Sequence, residues 1–220
     1  EGDQCKVVFT SNSVPYQAWS RMHYMPGRSL ASADGETWTD FAGLNKTVCL
    51  KAYTLKVDEN SFAALAEDIR KSGEVLNITH DYLFNESTDQ YILSQKIDNN
   101  ITLTVIKVDK DKLVINGNNH VIDGAGKGAM ISFSNSEGEI VINNVTFKNF
   151  NKSVLLSDAK ITLNNVNITD CIAPKDTLIS TSFANVTLNN CYFHSNQARQ
   201  LIYSSFSNLV VNNSAPILFK

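Results

Sequence analysis

The chain has 220 residues, 43% of them hydrophobic, and a formal net charge of −3. That apolar content supports a continuous core and excludes a disordered chain, and the acid–base balance excludes the basic stripe that nucleic acid requires. No apolar run reaches the roughly 18 residues that would cross a membrane as a helix, and the length fits one large all-β domain or a small domain beside a larger one.

Residues 1–56 are rich in aromatics (Phe9, Tyr16, Trp19, Tyr24, Trp38, Phe41, Tyr53) and hold both tryptophans. Lys6–Thr10 and Thr47–Tyr53 read as strands, with a turn at Ala33–Glu36 between them. This segment is predicted to be a small β unit or the end of a larger one. Trp19, Tyr24 and Trp38 have two readings: the core of so short a unit, or a sugar-stacking platform. Cys5 and Cys49 bracket the unit and are expected to form a disulfide, which fits an oxidising compartment.

The second domain is placed at residues 57–220. Phe62, Leu65, Ala66 and Ile69 repeat at helical spacing, so a helix is expected over about residues 60–72. Asn60 or Ser61 caps its start, Arg70 and Lys71 complement its last turn, and Gly73 supplies the stop. Its expected task is to cover the open apolar end of the strand stack behind it.

From Val75 onward the pattern predicts only strands and turns. Val75–Thr79 and Ile101–Ile106 begin a stack, and Leu113–Gly117 with His120–Gly124 form its first recognisable coil. Four further coils come after it, the last incomplete. Their mark is an asparagine pair behind apolar alternation, in Ile140–Asn144, Ile161–Asn165, Val186–Asn190 and Leu209–Asn213, with starts 21, 25 and 23 residues apart. A second apolar run keeps the same beat at Met130–Ile131, Val154–Leu155, Leu178–Ile179 and Leu201–Ile202. A period of about two dozen residues filled with short strands signals a solenoid.

Within a coil, Ile140, Ile142, Val145 and Phe147 are predicted to point inward. Ile161, Leu163, Val166 and Ile168 repeat them, then Val186, Leu188, Cys191 and Phe193. Equivalent residues then stack at about 4.8 Å in parallel ladders. The pairs Asn143–Asn144, Asn164–Asn165, Asn189–Asn190 and Asn212–Asn213 turn the corners. One asparagine of each pair takes the left-handed conformation, and its amide is expected to bond to the asparagines above and below. Aligning the pairs puts Cys191 inward, level with Val145 and Val166, and Cys171 level with Asn196. Five strand residues span roughly 16 Å, so Cys171 and Cys191 are predicted to be separate thiols.

The coils resemble the right-handed parallel β-helix of the pectate-lyase-like superfamily. Asn116–Gly124 and the repeats at Ile142–Phe147 and Leu163–Ile168 look most like the adhesin-like surface proteins of methanogenic archaea. This likeness covers roughly residues 57–220. Ser32–Asp40 followed by Val48–Thr54 looks like the closing half of the lectin-like domain that adjoins papain-type peptidases in related archaeal proteins. The resemblance implies a surface location, and a targeting or spacer role should the parent protein carry a peptidase.

Catalytic patterns are thin. A glycoside hydrolase needs two carboxylates about 5–9.5 Å apart. From Asp123 onward the acids are Asp123, Glu137, Glu139, Asp158, Asp170 and Asp176, and Asp170 aligns with Asn149 and Ser195 instead of another acid. Asp123 is read as a turn marker. Arg199, the only arginine in the coils, has no acid cluster for a Ca²⁺-dependent lyase. Cys191 and His194 are three apart on a strand and so face opposite ways. Gly124–Gly128 lacks the ending of a phosphate loop, and the histidines at 23, 80, 120 and 194 are read as scattered surface or turn residues.

Nine positions match Asn-x-Ser/Thr: Asn45, Asn77, Asn85, Asn100, Asn144, Asn151, Asn167, Asn185 and Asn212. They are read either as turn composition or as glycosylation acceptors of an exported protein, and Asn144 as silent if it joins an inward ladder. An outward ladder of Thr146, Asn167 and Tyr192, flanked by Thr162 and Thr187, offers a polar face with an aromatic.

The predicted protein is therefore all-β: a right-handed parallel β-helix with one capping helix and a small disulfide-linked β unit. It is read as a piece of a longer extracellular or cell-surface protein. Expected partners are glycans or cell-surface proteins, through Trp19, Tyr24, Trp38 and Tyr192. No catalytic residue, metal ligand or cofactor is assigned. The alternatives are a carbohydrate-active enzyme, and a targeting or spacer module of a larger surface enzyme.

Overall fold

The structure, a computed structural model, describes residues 57–98 and 101–214, and ahead of them residues 19–20, 30–31, 37, 39–40 and 47–48. The chain divides into two compact units, Glu1–Thr54 and Leu55–Lys220. In the first, β1 (Trp19–Ser20), β2 (Leu30–Ala31), β3 (Thr39–Asp40) and β4 (Thr47–Val48) form two antiparallel pairs, β1 with β4 and β2 with β3. The strand expected at Thr47–Tyr53 is seen at its first two residues. The strand at Lys6–Thr10, the turn at Ala33–Glu36 and the Cys5–Cys49 pair lie outside the described residues.

The second unit opens on α1 (Phe62–Lys71). Ser61 caps it, its Oγ accepting from the Ala64 N–H at 3.2 Å. Phe62, Leu65 and Ile69 are buried in the solenoid core, so the helix covers the apolar end as its periodicity demands. Glu67 pairs with Arg70 at 2.6 Å and Lys71 at 3.3 Å, and the Arg70 hydrogen bond chiefly holds the Glu67 carboxyl down at about 2. The helix stops at Ser72, one residue before the expected Gly73. There the backbone turns extended, the Ser72 N–H donates to the Asp68 carbonyl, and its hydroxyl donates to the Ile69 carbonyl. Termination rests on a serine and not on glycine's conformational freedom.

Next come β5 (Val75–Asn77) and β6 (Tyr82–Leu83). The expectation of strand alone from Val75 onward then fails, because Glu86–Leu93 form a second helix, α2. Asn85 caps it, accepting from the Ser87 N–H at 3.1 Å, and Glu86 and Asp89 place acidic groups in its first turn. Strands β7 (Ser94–Asp98) and β8 (Ile101–Val108) come next as an antiparallel pair.

Four complete coils are then wound. The first is β9 (Lys112–Asn116), β10 (Val121–Lys127) and β11 (Met130–Phe133). The second is β12 (Glu139–Asn143), β13 (Thr146–Phe150) and β14 (Leu155–Ser157). The third is β15 (Lys160–Asn164), β16 (Asn167–Thr169) and β17 (Ile172–Ser182), and the fourth β18 (Val186–Asn189), β19 (Tyr192–His194) and β20 (Gln197–Ser205). Strand β21 (Leu209–Asn212) begins another.

Three sheets result, in the orders β5-β9-β12-β15-β18-β21, β6-β10-β13-β16-β19 and β7-β8-β11-β14-β17-β20, parallel throughout except for β7–β8. This is a parallel β-solenoid. Its register is the expected one: Ile140, Ile161, Val186 and Leu209 stack, as do Phe147, Ile168 and Phe193. All the residues of the second, third and fourth coils expected to point inward are buried.

The corners divide two tasks that the sequence pattern assigned to one asparagine. The second residue of each pair takes the left-handed conformation, with φ of 52°, 53°, 52° and 47° at Asn144, Asn165, Asn190 and Asn213. Most other residues would lose about 1–2 kcal/mol there. The continuous amide ladder belongs to the first residue. Each Nδ2 donates to the Oδ1 one coil earlier, from Asn212 through Asn189, Asn164, Asn143 and Asn116 to Asn77, at 2.7–2.9 Å. Among the second residues one such bond is made, from Asn165 to Asn144 at 3.0 Å.

Candidate functional site

At the start of the solenoid, residues 59–60 ahead of α1, residues 79–81 between β5 and β6, and His120 ahead of β10 line an open cleft of about 480 Å³. Asp81 Oδ1 accepts from the Val121 N–H at 2.9 Å and bonds His120 Nδ1 at 2.9 Å. The Val121 N–H first, then His120, hold the Asp81 carboxyl below its ordinary range. His80 Nε2 lies 3.1 Å from the Glu59 carbonyl and its Nδ1 3.3 Å from Thr79 Oγ1, and the ring packs 4.7 Å from that of Tyr82.

The reading of the histidines as scattered is thus corrected for two of them. Tyr82 pairs with Ile122, so His80 and His120, each two residues earlier, fall one coil apart. Forty residues of sequence, including α2 and the β7–β8 hairpin, hide that proximity. His23 lies outside the described residues. An imidazole oriented by a carboxylate is equipped to relay a proton. The same bonds also tie the segment ahead of α1 to the first coils.

Asp123 behaves as the turn marker it was read to be. Its Oδ1 accepts from the Ala125 N–H at 2.8 Å and Asn149 Nδ2 at 3.0 Å, and Lys148 Nζ lies 3.2 Å from Oδ2. Partial burial pushes this carboxyl up, but the Ala125 and Asn149 bonds and Lys148 outweigh it and hold it below its usual value. Its neighbours in register are Leu83 and Lys148, neither of them an acid. Asp170 shares the left-handed corner of Asn149 and Ser195, with φ of 56°, 57° and 55°.

Cys171 and Cys191 are free, buried thiols, and burial pushes both up in pKa. His194 lies exposed on the face opposite Cys191, hydrogen-bonded to Thr169 Oγ1 at 3.0 Å. Among the described residues, no group of three or more His, Cys, Asp and Glu side chains is placed to hold a metal. No described helix is long and apolar enough to cross a membrane.

The outward ladder Thr146, Asn167, Tyr192 is in register as expected, with Asn167 Nδ2 donating to Thr146 Oγ1 at 3.4 Å and Tyr192 half exposed. Of the expected platform, Tyr24, Trp38 and the side chain of Trp19 lie outside the described residues.

The most exposed aromatics of the coils were missed. Phe183 and Phe206 are 77% and 83% exposed, with rings stacked at 5.1 Å between centroids and 4° between planes. Both have left-handed backbone, φ 60° and 54°. A signal for them exists in the count. Ser157 pairs with Thr181 and Ile161 with Val186, so the third-to-fourth coil corner carries one residue more than its predecessor. That residue is Phe183. Phe206 repeats it one coil on, where Ser205 pairs with Ser182 and the Ser205 carbonyl accepts from the Phe183 N–H at 2.9 Å. Tyr203, also half exposed, points outward from β20 just before this corner.

Compared with family models, curated proteins and solved structures, the chain finds no match.

Proposed function

We propose that this chain is a non-catalytic, adhesin-like binding segment of an extracellular or cell-surface protein, contacting glycans or proteins. The observation that carries the reading is the Phe183–Phe206 pair. A bulky residue held at positive φ costs about 1–3 kcal/mol, and a ring left in water recovers little of that by burial. The cost is met twice, in consecutive coils, at positions where an asparagine or glycine would fit better. A surface kept at the expense of stability points to contact with something outside the chain.

The resemblance to adhesin-like solenoids of methanogenic archaea, with their right-handed winding, belongs to this reading. So does the likeness of the first unit to the end of a lectin-like domain. Outward Tyr203, on the strand that leads into this corner, extends the aromatic surface, and Tyr192 offers a separate exposed ring on the second sheet.

The test is binding of the full chain to an array of cell-wall and host polysaccharides and surface proteins, beside the Phe183→Gly/Phe206→Gly variant. Glycine relieves the backbone while deleting both rings. The variant is expected to bind at least about tenfold more weakly and to remain within about 1 kcal/mol of the parent in stability. Unchanged saturable binding by the variant sinks the assignment of the site. Binding lost instead on Trp19→Ala or Trp38→Ala moves it to the first unit, and a blank array with folded protein leaves a spacer.

A second reading, a carbohydrate-active enzyme, draws on one observation. Glu59 and Asp81 line the same cleft as His120, and paired carboxylates are what glycoside hydrolysis uses. Release of reducing sugar from an array polysaccharide, abolished by Asp81→Asn, would establish it over the binding reading.

A further inference from the structure

We infer that Asn151 is the N-glycan acceptor of this solenoid, an inference that rests on the exported, surface location proposed above. Seven of the sequon asparagines are described: Asn77, Asn85, Asn144, Asn151, Asn167, Asn185 and Asn212. Their side chains differ in what holds them. Nδ2 is already committed at Asn85 (to Asp58 Oδ2, 3.1 Å), Asn167 (to Thr146 Oγ1, 3.4 Å) and Asn212 (to Asn189 Oδ1, 2.8 Å). Oδ1 is committed at Asn77 (from Asn116 Nδ2, 2.9 Å), Asn144 (from Asn165 Nδ2, 3.0 Å) and Asn185 (from the Asn208 N–H, 3.2 Å).

Asn151 is exposed, and among the described residues its carboxamide engages no other group. It sits in the bend between β13 and β14, its backbone N–H donating to the Lys127 carbonyl at 3.3 Å. Ser153 supplies the hydroxyl two residues on, as the acceptor motif requires.

The chemistry favours such a residue. An amide nitrogen is a poor nucleophile until its lone pair is twisted out of conjugation with the carbonyl. A carboxamide clamped through either atom must break that bond to twist, whereas a free one turns without loss. In the transfer, Nδ2 attacks the anomeric carbon of a lipid-phosphate-linked oligosaccharide. The bond from that carbon to the phosphate oxygen breaks, and the lipid phosphate leaves with the electron pair. One Nδ2 proton passes to a base of the transferase. A glycan at Asn151 projects from the corner between the second and third sheets. The Phe183 and Phe206 rings lie at the corner between the third and first, so the sugar leaves them uncovered.

The test is peptide mapping by mass spectrometry of the full chain secreted from a host that glycosylates a co-expressed control protein, and of the protein from its own source. Asn151 is expected to be the most highly occupied of the seven sites, with Asn151→Gln losing that mass and keeping the parental melting temperature. Asn151 bare beside a glycosylated control overturns the inference, as does lower occupancy there than at any of the other six described sites. Occupancy in the secreting host together with a bare native protein supports the acceptor and overturns the exported location instead.

Discussion

Replacing Asp89 by alanine is expected to lower the unfolding free energy by about 4 kcal/mol, with the loss read from urea denaturation. Asp89 is fully buried, yet it lies on α2 and serves α1. Its Oδ1 accepts from the Ala63 N–H at 2.8 Å, and its Oδ2 from the N–H groups of Phe62 at 3.0 Å and Asn85 at 2.7 Å. Together with Ser61 Oγ on Ala64, this satisfies the first three backbone donors of α1. A carboxylate at a helix N-terminus also meets the positive end of the dipole.

Alanine leaves three N–H groups facing a void. Asparagine keeps the shape but turns an NH₂ toward at least one donor, and is expected to cost about 2 kcal/mol. Ser61→Ala, which frees a single donor, should cost about 1 kcal/mol. Release of α1 also uncovers Phe62, whose ring lies 5.4 Å from Phe84 and 6.0 Å from Phe150, so an apolar dye should bind the variant before global unfolding. A loss below about 1 kcal/mol for Asp89→Ala would mean that the cap is held by apolar packing alone.

The solenoid was legible because a parallel stack imposes the same demand on every coil. Ile140, Ile161 and Val186 are alike for the reason that they touch. The amide ladder was legible as composition, but its division of labour was not. Two adjacent asparagines are identical letters, and only φ separates the one that turns the corner from the one that bonds up and down. Helix α2 escaped because its buried face is Thr88, Asp89 and Leu93, and a polar buried face gives no apolar periodicity.

At the candidate sites the same logic cuts the other way. Phe183 and Phe206 are departures from the repeat, and aligning coils on their asparagine pairs absorbs one surplus residue without marking it. His80 and His120 are neighbours through the Tyr82–Ile122 register, and the detour of the chain between them through α2 and the hairpin hides it. Both candidate sites lie where the repeat is broken, which is where a period carries least information.

Gly117→Ala is expected to destabilise the protein by about 3 kcal/mol, although glycine holds no unusual dihedral there. Its cause is the approach of the next coil. A methyl at residue 117 would overlap Val145 Cγ2 and the Asn144 carbonyl oxygen and reach within 2.9 Å of the Asn143 oxygen. None of these can withdraw freely. Val145 is buried, and both carbonyls are held, the Asn143 oxygen by the Gly117 N–H at 2.7 Å and the Asn144 oxygen by the Asn119 N–H at 2.8 Å. The methyl must therefore pry the first two complete coils apart at the corner.

Gly73→Ala is the control, since nothing lies within 4 Å of a methyl there, and it should stay within about 0.5 kcal/mol of the parent. Adding Val145→Ala to Gly117→Ala removes the side-chain overlap but not the carbonyl one. The double variant should then be more stable than the sum of the two single losses predicts, but by about 1 kcal/mol at most, because the carbonyl overlap remains. Near-parental stability for Gly117→Ala alone would show that adjacent coils separate at little cost, and the in-register stack would lose its claim to hold the corner together.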